Sequence, residues 1–360
     1  MKILITGGAG FIGNAVATRL ASDGHEVIAI DNINAYYDPA LKIQRLRNAG
    51  FSIDPNWPTT TATPCSGSSR LPVEHIDIPW GITLRSSRWK NLSFVRLDIS
   101  NINSLSSLFD GEKPRAVVNM AAQAGVRYSI ENPLTYGQTN LMGFLNILEC
   151  CRLHGAERLV YASSSSVYGS NSKIPFSETD NVDNPVSLYA ATKKSNELMA
   201  SVYSSLYGLS TTGLRFFTVY GPWGRPDMAP MLFSDAILGD RAIKVFNNGD
   251  LSRDFTYIDD IVEGVVRVLT AKSPGNNRIY NIGRGKSERL MDFISLLESN
   301  LGRKATLEFL PMQPGDVKDT WADTSLLSRD FGYSPSISLD EGIARFAKWI
   351  LEYKHRQTES

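Results

Sequence analysis

The stretch Thr6-Gly7-Gly8-Ala9-Gly10-Phe11-Ile12-Gly13 constrains this chain more than any other. It follows a short apolar run, Lys2 to Thr6, and opens a helical pattern from Gly10 to Ala21 in which Phe11, Ile12, Ala15, Val16 and Leu20 face inward. Glu26 to Ile30 is a second, β-branched strand, so the segment through Asp31 reads as a βαβ unit. In that context glycines let the backbone approach a pyrophosphate that rests on the unpartnered N–H groups of a helix start. Gly7, Gly10, Phe11, Ile12 and Gly13 are therefore candidate contacts to a dinucleotide. Asp31 ends the second strand, where a carboxylate accepts from adenosine ribose hydroxyls and repels a 2'-phosphate. Asn32 follows in place of an arginine, and together they favour NAD over NADP. Asp98-Ile99, after the next strand, either closes over the adenine or simply ends the strand.

Strand patterns recur near Phe94 to Leu97, Ala116 to Met120, Arg158 to Ala162 and Thr212 to Phe216, separated by helical stretches near Pro133 to His154 and Leu188 to Tyr207. This alternation predicts an α/β protein with a Rossmann-type, doubly wound parallel sheet. A NAD-binding domain is expected over 1–222. A smaller C-terminal α/β substrate lobe is expected over 223–356, where prolines recur and a last helix runs from Leu339 to Tyr353, with 252–283 returning to the first domain. One interruption, 48–91, carries Pro55, Pro58, Pro64, Pro72 and Pro79 and a Ser/Thr tract from Thr59 to Ser69. Trp57, Trp80 and Trp89 have large apolar surfaces to cover, so partial order with a mobile tract is expected there.

Charge removes several function classes. The 37 Lys and Arg cancel the 37 Asp and Glu, which leaves no net positive field for nucleic acid. No apolar run is long enough for a membrane span, and the N-terminal run passes into glycine without a cleavage signal. Cys65, Cys150 and Cys151, with His25, His75, His154 and His355, show no metal-ligand spacing. A cytoplasmic protein with reduced thiols and no metal is expected.

The reacting groups are read from a second constellation. Tyr189-Ala190-Ala191-Thr192-Lys193 puts a phenol and an ammonium one turn apart on a helix. Upstream, Ser163-Ser164-Ser165-Ser166 follows a strand at the carboxyl edge where parallel sheets bind ligands. A hydroxyl there, Ser164, can share a substrate proton with Tyr189.

With these marks the sequence resembles the extended short-chain dehydrogenase/reductase family, and most closely its UDP-glucuronate 4-epimerases. The closest likeness lies in Asp31 to Asp38, Ala121 to Ser129, Arg215 to Met228, Val245 to Gly249, Ser252 to Asp260 and Gln313 to Asp316. The resemblance implies catalysis by Tyr189, Lys193 and Ser164. It implies further NAD contacts at Ala121, Ala122, Gln123, Asn140, Tyr189 and Lys193, and a UDP-sugar held by Ser164, Ser165, Ser166, Tyr189, Thr218, Val219, Arg225, Val245, Phe246, Asn247, Arg253 and Asp316. It also implies a homodimer through the two long helices. The departures are Asn119, where relatives usually have histidine, and the 48–91 insertion; neither is expected to touch the reacting groups. Related decarboxylases and dehydratases carry acidic residues where Ser165 and Ser166 stand. Serine is no general base near neutral pH without help, which disfavours those outcomes. The serine hydroxyls and Arg225 either receive a carboxylate on sugar C5, or the serines cap a loop and the arginine sits in an ion pair. A UDP-glucose/UDP-galactose-type epimerase, a UDP-glucuronate decarboxylase and a non-catalytic NAD sensor are the alternatives.

Overall fold

The computed structural model describes residues 1–67, 71–272, 275–312 and 317–358, with side chains through 356. Its main sheet has eight strands in the order β14-β9-β8-β7-β1-β2-β6-β5. These are β1 (Lys2–Thr6), β2 (Glu26–Asp31), β5 (Thr83–Arg85), β6 (Leu92–Arg96), β7 (Ala116–Asn119), β8 (Arg158–Ser164), β9 (Ser210–Phe216) and β14 (Asn277–Ile282). All pair in parallel except the edge strand β5, which runs antiparallel to β6. Ile3 lies beside Val27 on one side and Ala116 on the other. The winding direction therefore reverses at β1 and β7, and a ligand crevice opens at their carboxyl ends.

Residues alternate faces along each strand, so both faces of an apolar strand need cover. Ile3, Ile5, Val27 and Ala29 pack with Val16 and Leu20 of α1 (Phe11–Ser22) and Ile261 and Val265 of α9 (Ile258–Thr270). Leu4, Ile28 and Val117 face the other way, against Leu105 and Phe109 of α3 (Ile102–Glu112), Phe144 and Ile147 of α6 (Phe144–Leu153) and Ala200 of α7 (Leu188–Tyr207). Each such fully buried aliphatic side chain contributes about 1.5–3 kcal/mol.

Three local expectations change. Within α1, Ile12 and Ala15 are only half-buried, and Ala17 and Ala21 take the inward positions. The expected helix from Pro133 to His154 forms without a gap but widens in its middle, running as α5 (Pro133–Tyr136), a π-helical segment over Gly137–Gly143, and α6; a separate short helix, α4 (Tyr128–Glu131), precedes it. The third concerns the insertion. It is preceded by an unforeseen helix, α2 (Pro39–Asn48), capped by Asp38, and it contains a hairpin in which β3 (Thr59–Ala62) pairs with β4 (Val73–Ile76). The threonines are β-branched and suit a strand, so the start of the tract expected to be mobile is paired; Ser68 and Ser69 lie outside the described residues. Trp80 stays 57% exposed, with the Arg96 guanidinium 4.2 Å over its ring, so a cation rather than a core covers it.

Beyond β9, short strands are joined by helices. β10 (Thr218–Tyr220) pairs with β13 (Phe255–Tyr257), β11 (Ala242–Phe246) with β16 (Thr306–Leu310), and β12 (Ser252–Arg253) lies between β15 (Glu288–Arg289) and β17 (Asp319–Thr320). The helices are α8 (Ala229–Leu238), α10 (Leu290–Leu301), α11 (Ser325–Phe331) and α12 (Leu339–Thr358). Among the described residues no helix is long and apolar enough to cross a membrane.

Candidate active site

A cleft of about 370 Å3 opens at the carboxyl ends of β1, β2, β7 and β8. Gly7, Gly10, Phe11, Ile12, Gly13, Asp31, Asn32, Asp98, Ile99, Ala121, Ala122 and Gln123 line one end. Ser164, Ser165, Ser166, Tyr189, Lys193, Thr218, Val219 and Arg225 line the other.

The first end is made largely of backbone. Helix α1 starts at Gly10 with no side-chain cap, so its first N–H groups remain available to an anion. At Gly13 a Cβ would overlap the Gly7 carbonyl oxygen, so only glycine allows the helix to start this close to the turn. Asp31 accepts from the backbone N–H of Ala9 (3.2 Å) and Ile33 (2.8 Å). Lys42 Nζ, from α2, lies 3.4 Å from the same carboxylate and 3.0 Å from Asn34. Asp98 accepts from Asn32 (2.8 Å) and from the backbone and hydroxyl of Ser100 (2.8 and 2.7 Å), so it both ends its strand and lines the cleft. Asn119 accepts the Thr6 hydroxyl at 2.6 Å, and that hydroxyl accepts from Ala121 N, which ties the loop after β7 to β1. An uncapped helix start, a turn that a Cβ would fill and a carboxylate at the end of β2 together fit a dinucleotide.

At the second end, Ser163 and Ser164 at the end of β8 both line the cleft, but their hydroxyls are used differently. The Ser163 hydroxyl donates to Glu197 of α7 (2.6 Å), which forms a buried two-bond pair with Arg215 of β9 (2.9 Å each). This pair sets β8, β9 and α7 in fixed relation. Ser164 caps a 3-10 turn over Ser165–Tyr168 and also hydrogen-bonds Tyr189. Burial pushes the Tyr189 phenol above its ordinary range, while Ser164 and the charge of Arg225 pull it down. Lys193 donates to Ala162 O (2.7 Å), and burial lowers its ammonium to about 8. Its Nζ is 5.9 Å from the Tyr189 ring centre.

Arg225 is engaged rather than open. Its Nε donates to Asp227 (3.0 Å) and its Nη2 to the other carboxylate oxygen. Burial opposes ionisation of Asp227, but Arg225 holds it below the usual carboxylate range. Ser164 thus caps a turn and Arg225 sits in an ion pair, while Ser164, Ser165, Ser166 and Arg225 all line the cleft. Arg45, fully buried in α2, joins the two ends by donating to Ala9 O (3.1 Å), Trp223 O (2.7 Å) and Gly224 O (3.3 Å).

The model of the NAD dependent epimerase/dehydratase family matches residues 3–283. The chain belongs to that family. It is 46% identical to Protein CapI of Staphylococcus aureus, over 98% of this chain and 99% of the relative. It is 41% identical to a probable UDP-glucuronate 4-epimerase of Rhizobium meliloti (strain 1021), over 97% and 96%. A crystal structure of UDP-glucuronic acid 4-epimerase from Bacillus cereus in complex with UDP-glucuronic acid and NAD superposes with a TM-score of 0.82 at 32% identity, covering 98% of this chain and 100% of that one.

Some expected site residues of this epimerase/dehydratase chain stand apart from the cleft. Asn140, on the π turn, is buried behind it and holds the Gln123 backbone through two bonds (2.8 and 3.0 Å). Val245, Phe246, Asn247 and Arg253 do not line it; Val245 is fully buried, and Arg253 donates to the carbonyls of Ser252 and Lys318. Asp316 lies outside the described residues. The insertion does reach the wall of the cleft, because Cys65 N donates to Tyr36 O (3.1 Å) and Tyr36 lines it, but Tyr36 is not one of the reacting groups. Lys42 and Tyr36 were missed. The Asp38-Pro39 helix start was the available signal for Lys42, and Tyr36 was marked only by lying in the Asp31 to Asp38 segment of family likeness.

Proposed function

We propose that this chain is a UDP-glucuronate 4-epimerase that interconverts UDP-glucuronate and UDP-galacturonate, with NAD as its resident cofactor. The observation that carries this reading is the meeting of Ser164, Tyr189 and Lys193 with Arg225 and two neutral serines, Ser165 and Ser166, in one cleft. The relatives named for this reaction support it. Bound NAD supplies a transient oxidation at sugar C4. The chain's own part is to orient the sugar and move a proton. Tyr189 Oη takes the proton from O4 as the 4-keto sugar forms, and returns it when the ketose has turned over about its diphosphate linkage.

A buried phenol needs positive charge to act as a base. The Arg225 charge pulls the phenol toward the phenolate, and the Lys193 ammonium, 5.9 Å from the ring centre, adds a second cation beside it. Ser164 hydrogen-bonds the same phenol and holds O4 beside it. The 4-keto acid can lose carbon dioxide, and acidic residues would promote this or dehydration. Ser165 and Ser166 offer no such base, so the keto sugar survives to be reduced. In this reading Arg225, Thr218 and the serine hydroxyls receive the C5 carboxylate. Val245, Phe246, Asn247, Arg253 and Asp316 hold the uridine diphosphate. The Arg127 guanidinium, 5.2 Å over the Phe246 ring, supports this by joining that strand to the loop at Val126.

A neutral-sugar 4-epimerase remains the second reading, and the pairing of Arg225 with Asp227 favours it. NMR of the products decides: UDP-galacturonate should form from UDP-glucuronate far faster than UDP-galactose from UDP-glucose. Equal kcat/KM for acid and neutral sugars would leave the neutral reading standing. We further propose a cytosolic homodimer. Its interface would cover the exposed Ile130 (73%), Leu134 (85%), Leu198 (56%) and Leu206 (67%), and sedimentation tests it.

A further inference from the structure

Tyr36 follows β2 and is enclosed on every side that a specificity element would need. Its hydroxyl donates to Asp227 Oδ2 (3.0 Å), the carboxylate that binds Nε and Nη2 of Arg225. The Arg225 guanidinium lies 5.9 Å over its ring. Gly125, at φ +101°, gives the hydroxyl its space, since a Cβ there would overlap Tyr36 Oη. From outside, the turn of the insertion closes the arrangement. Cys65 N donates to Tyr36 O, Ser66 hydrogen-bonds the Tyr36 side chain, and Gly67 lies where an added Cβ would meet Pro226 at 3.6 Å. Tyr36, Gly125 and Arg225 all line the cleft that holds Tyr189.

A surface ion pair would need none of this enclosure. Asp227 occupies one edge of the guanidinium, and among the described residues no hydrogen bond engages Nη1. A planar fork held along one edge presents its remaining donors in a fixed direction. We infer that Tyr36 and Asp227, clamped by the insertion turn Cys65–Gly67, are positioning residues that aim Arg225 at the C5 carboxylate, so that the insertion takes part in selecting an acid sugar. This rests on the glucuronate reading above. It gives Asp227 a definite sign: it assists acid binding by orienting the arginine, although its charge alone would oppose a second carboxylate.

The experiment compares the full-length protein with Tyr36→Phe and Asp227→Asn, assaying UDP-glucuronate and UDP-glucose and following UDP-pentose by NMR. In both variants the acid-to-neutral ratio of kcat/KM should fall on the order of tenfold, the scale of one misplaced polar contact. The fall should be carried by KM for UDP-glucuronate, and the UDP-pentose share should rise as the keto acid's carboxylate is held less firmly. Ser66→Ala should move the ratio the same way by less. Losses equal for both substrates, an unmoved ratio, or tighter UDP-glucuronate binding in Asp227→Asn would overturn the inference. Should Asp227→Asn fail to fold, Tyr36→Phe carries the same ratio test, as it removes one hydroxyl only. Failure of the glucuronate reading itself shows separately, as an unmodified protein that forms no UDP-galacturonate.

Discussion

The two ends of the cleft are built on different plans. The cofactor end is backbone: an uncapped helix start, a turn closed to any Cβ at Gly13, and Asp31 held by two main-chain N–H groups within a span of 22 residues. The substrate end is side chain, and its hydrogen bond from Tyr36 to Asp227 joins residues 191 apart. A backbone site needs glycine at fixed places and so announces itself locally. A side-chain site draws on residues that are ordinary one by one, and it exists only once the chain has folded.

That contrast can be broken most sharply at Tyr189. Tyr189→Phe should lower kcat/KM by about 10²- to 10⁴-fold, the worth of a positioned acid/base, while NAD content stays normal. Steady-state kinetics beside cofactor extraction checks this, and loss of NAD would show that the two ends are not separable.

Lys193 tests the next-largest effect, with opposite signs for stability and activity. Burial lowers its ammonium from 10.5 to about 8, so below pH 8 the folded state bears the full cost of a buried charge. Between pH 8 and 10.5 the unfolded chain holds more protons, and stability rises with pH across that window. Lys193→Met should therefore stabilise the NAD-free protein near pH 7 by up to about 3 kcal/mol, with its pH-dependent rise removed and activity lost. Denaturant unfolding at several pH values reads it.

Gly13→Ala should weaken NAD binding by tenfold or more, since a methyl group forced into a packed turn costs about 1–3 kcal/mol. The acid-to-neutral ratio of the remaining holoenzyme should not move; titration calorimetry and product NMR separate the two. Smallest is Trp80→Ala, which removes an exposed ring under Arg96 and should cost at most about 1 kcal/mol in thermal unfolding, with substrate preference intact. A shift in preference would mean that the insertion acts through more than its turn.

The same division explains what could be read from the sequence. The βαβ start, the parallel sheet and the Tyr189–Lys193 helix were legible because periodicity and glycine placement are local. Leu188–Tyr207 forms one α-helix as expected, and the Pro133 to His154 stretch is helical as expected too, yet its middle widens into a π-helical segment. There Asn140 holds the Gln123 backbone, a long-range demand that no local pattern carries. Likewise Ser165 and Ser166 could be placed at a strand end by counting. That Arg225 would meet an acid of its own two residues later depended on how the chain turns there.

Arg45 carries one more consequence. Its guanidinium serves carbonyl oxygens from both plans at once, Ala9 beside the glycine turn and Trp223 and Gly224 just before Arg225, and it also meets the Tyr37 hydroxyl at 2.7 Å. Four acceptors in different directions need a flat, forked donor; a lysine at this position would keep the charge and reach only some of them. The registration of the sugar pocket to the dinucleotide turn is thus fixed by the shape of one ion, and a replacement that preserves charge would still uncouple the two halves of the reaction.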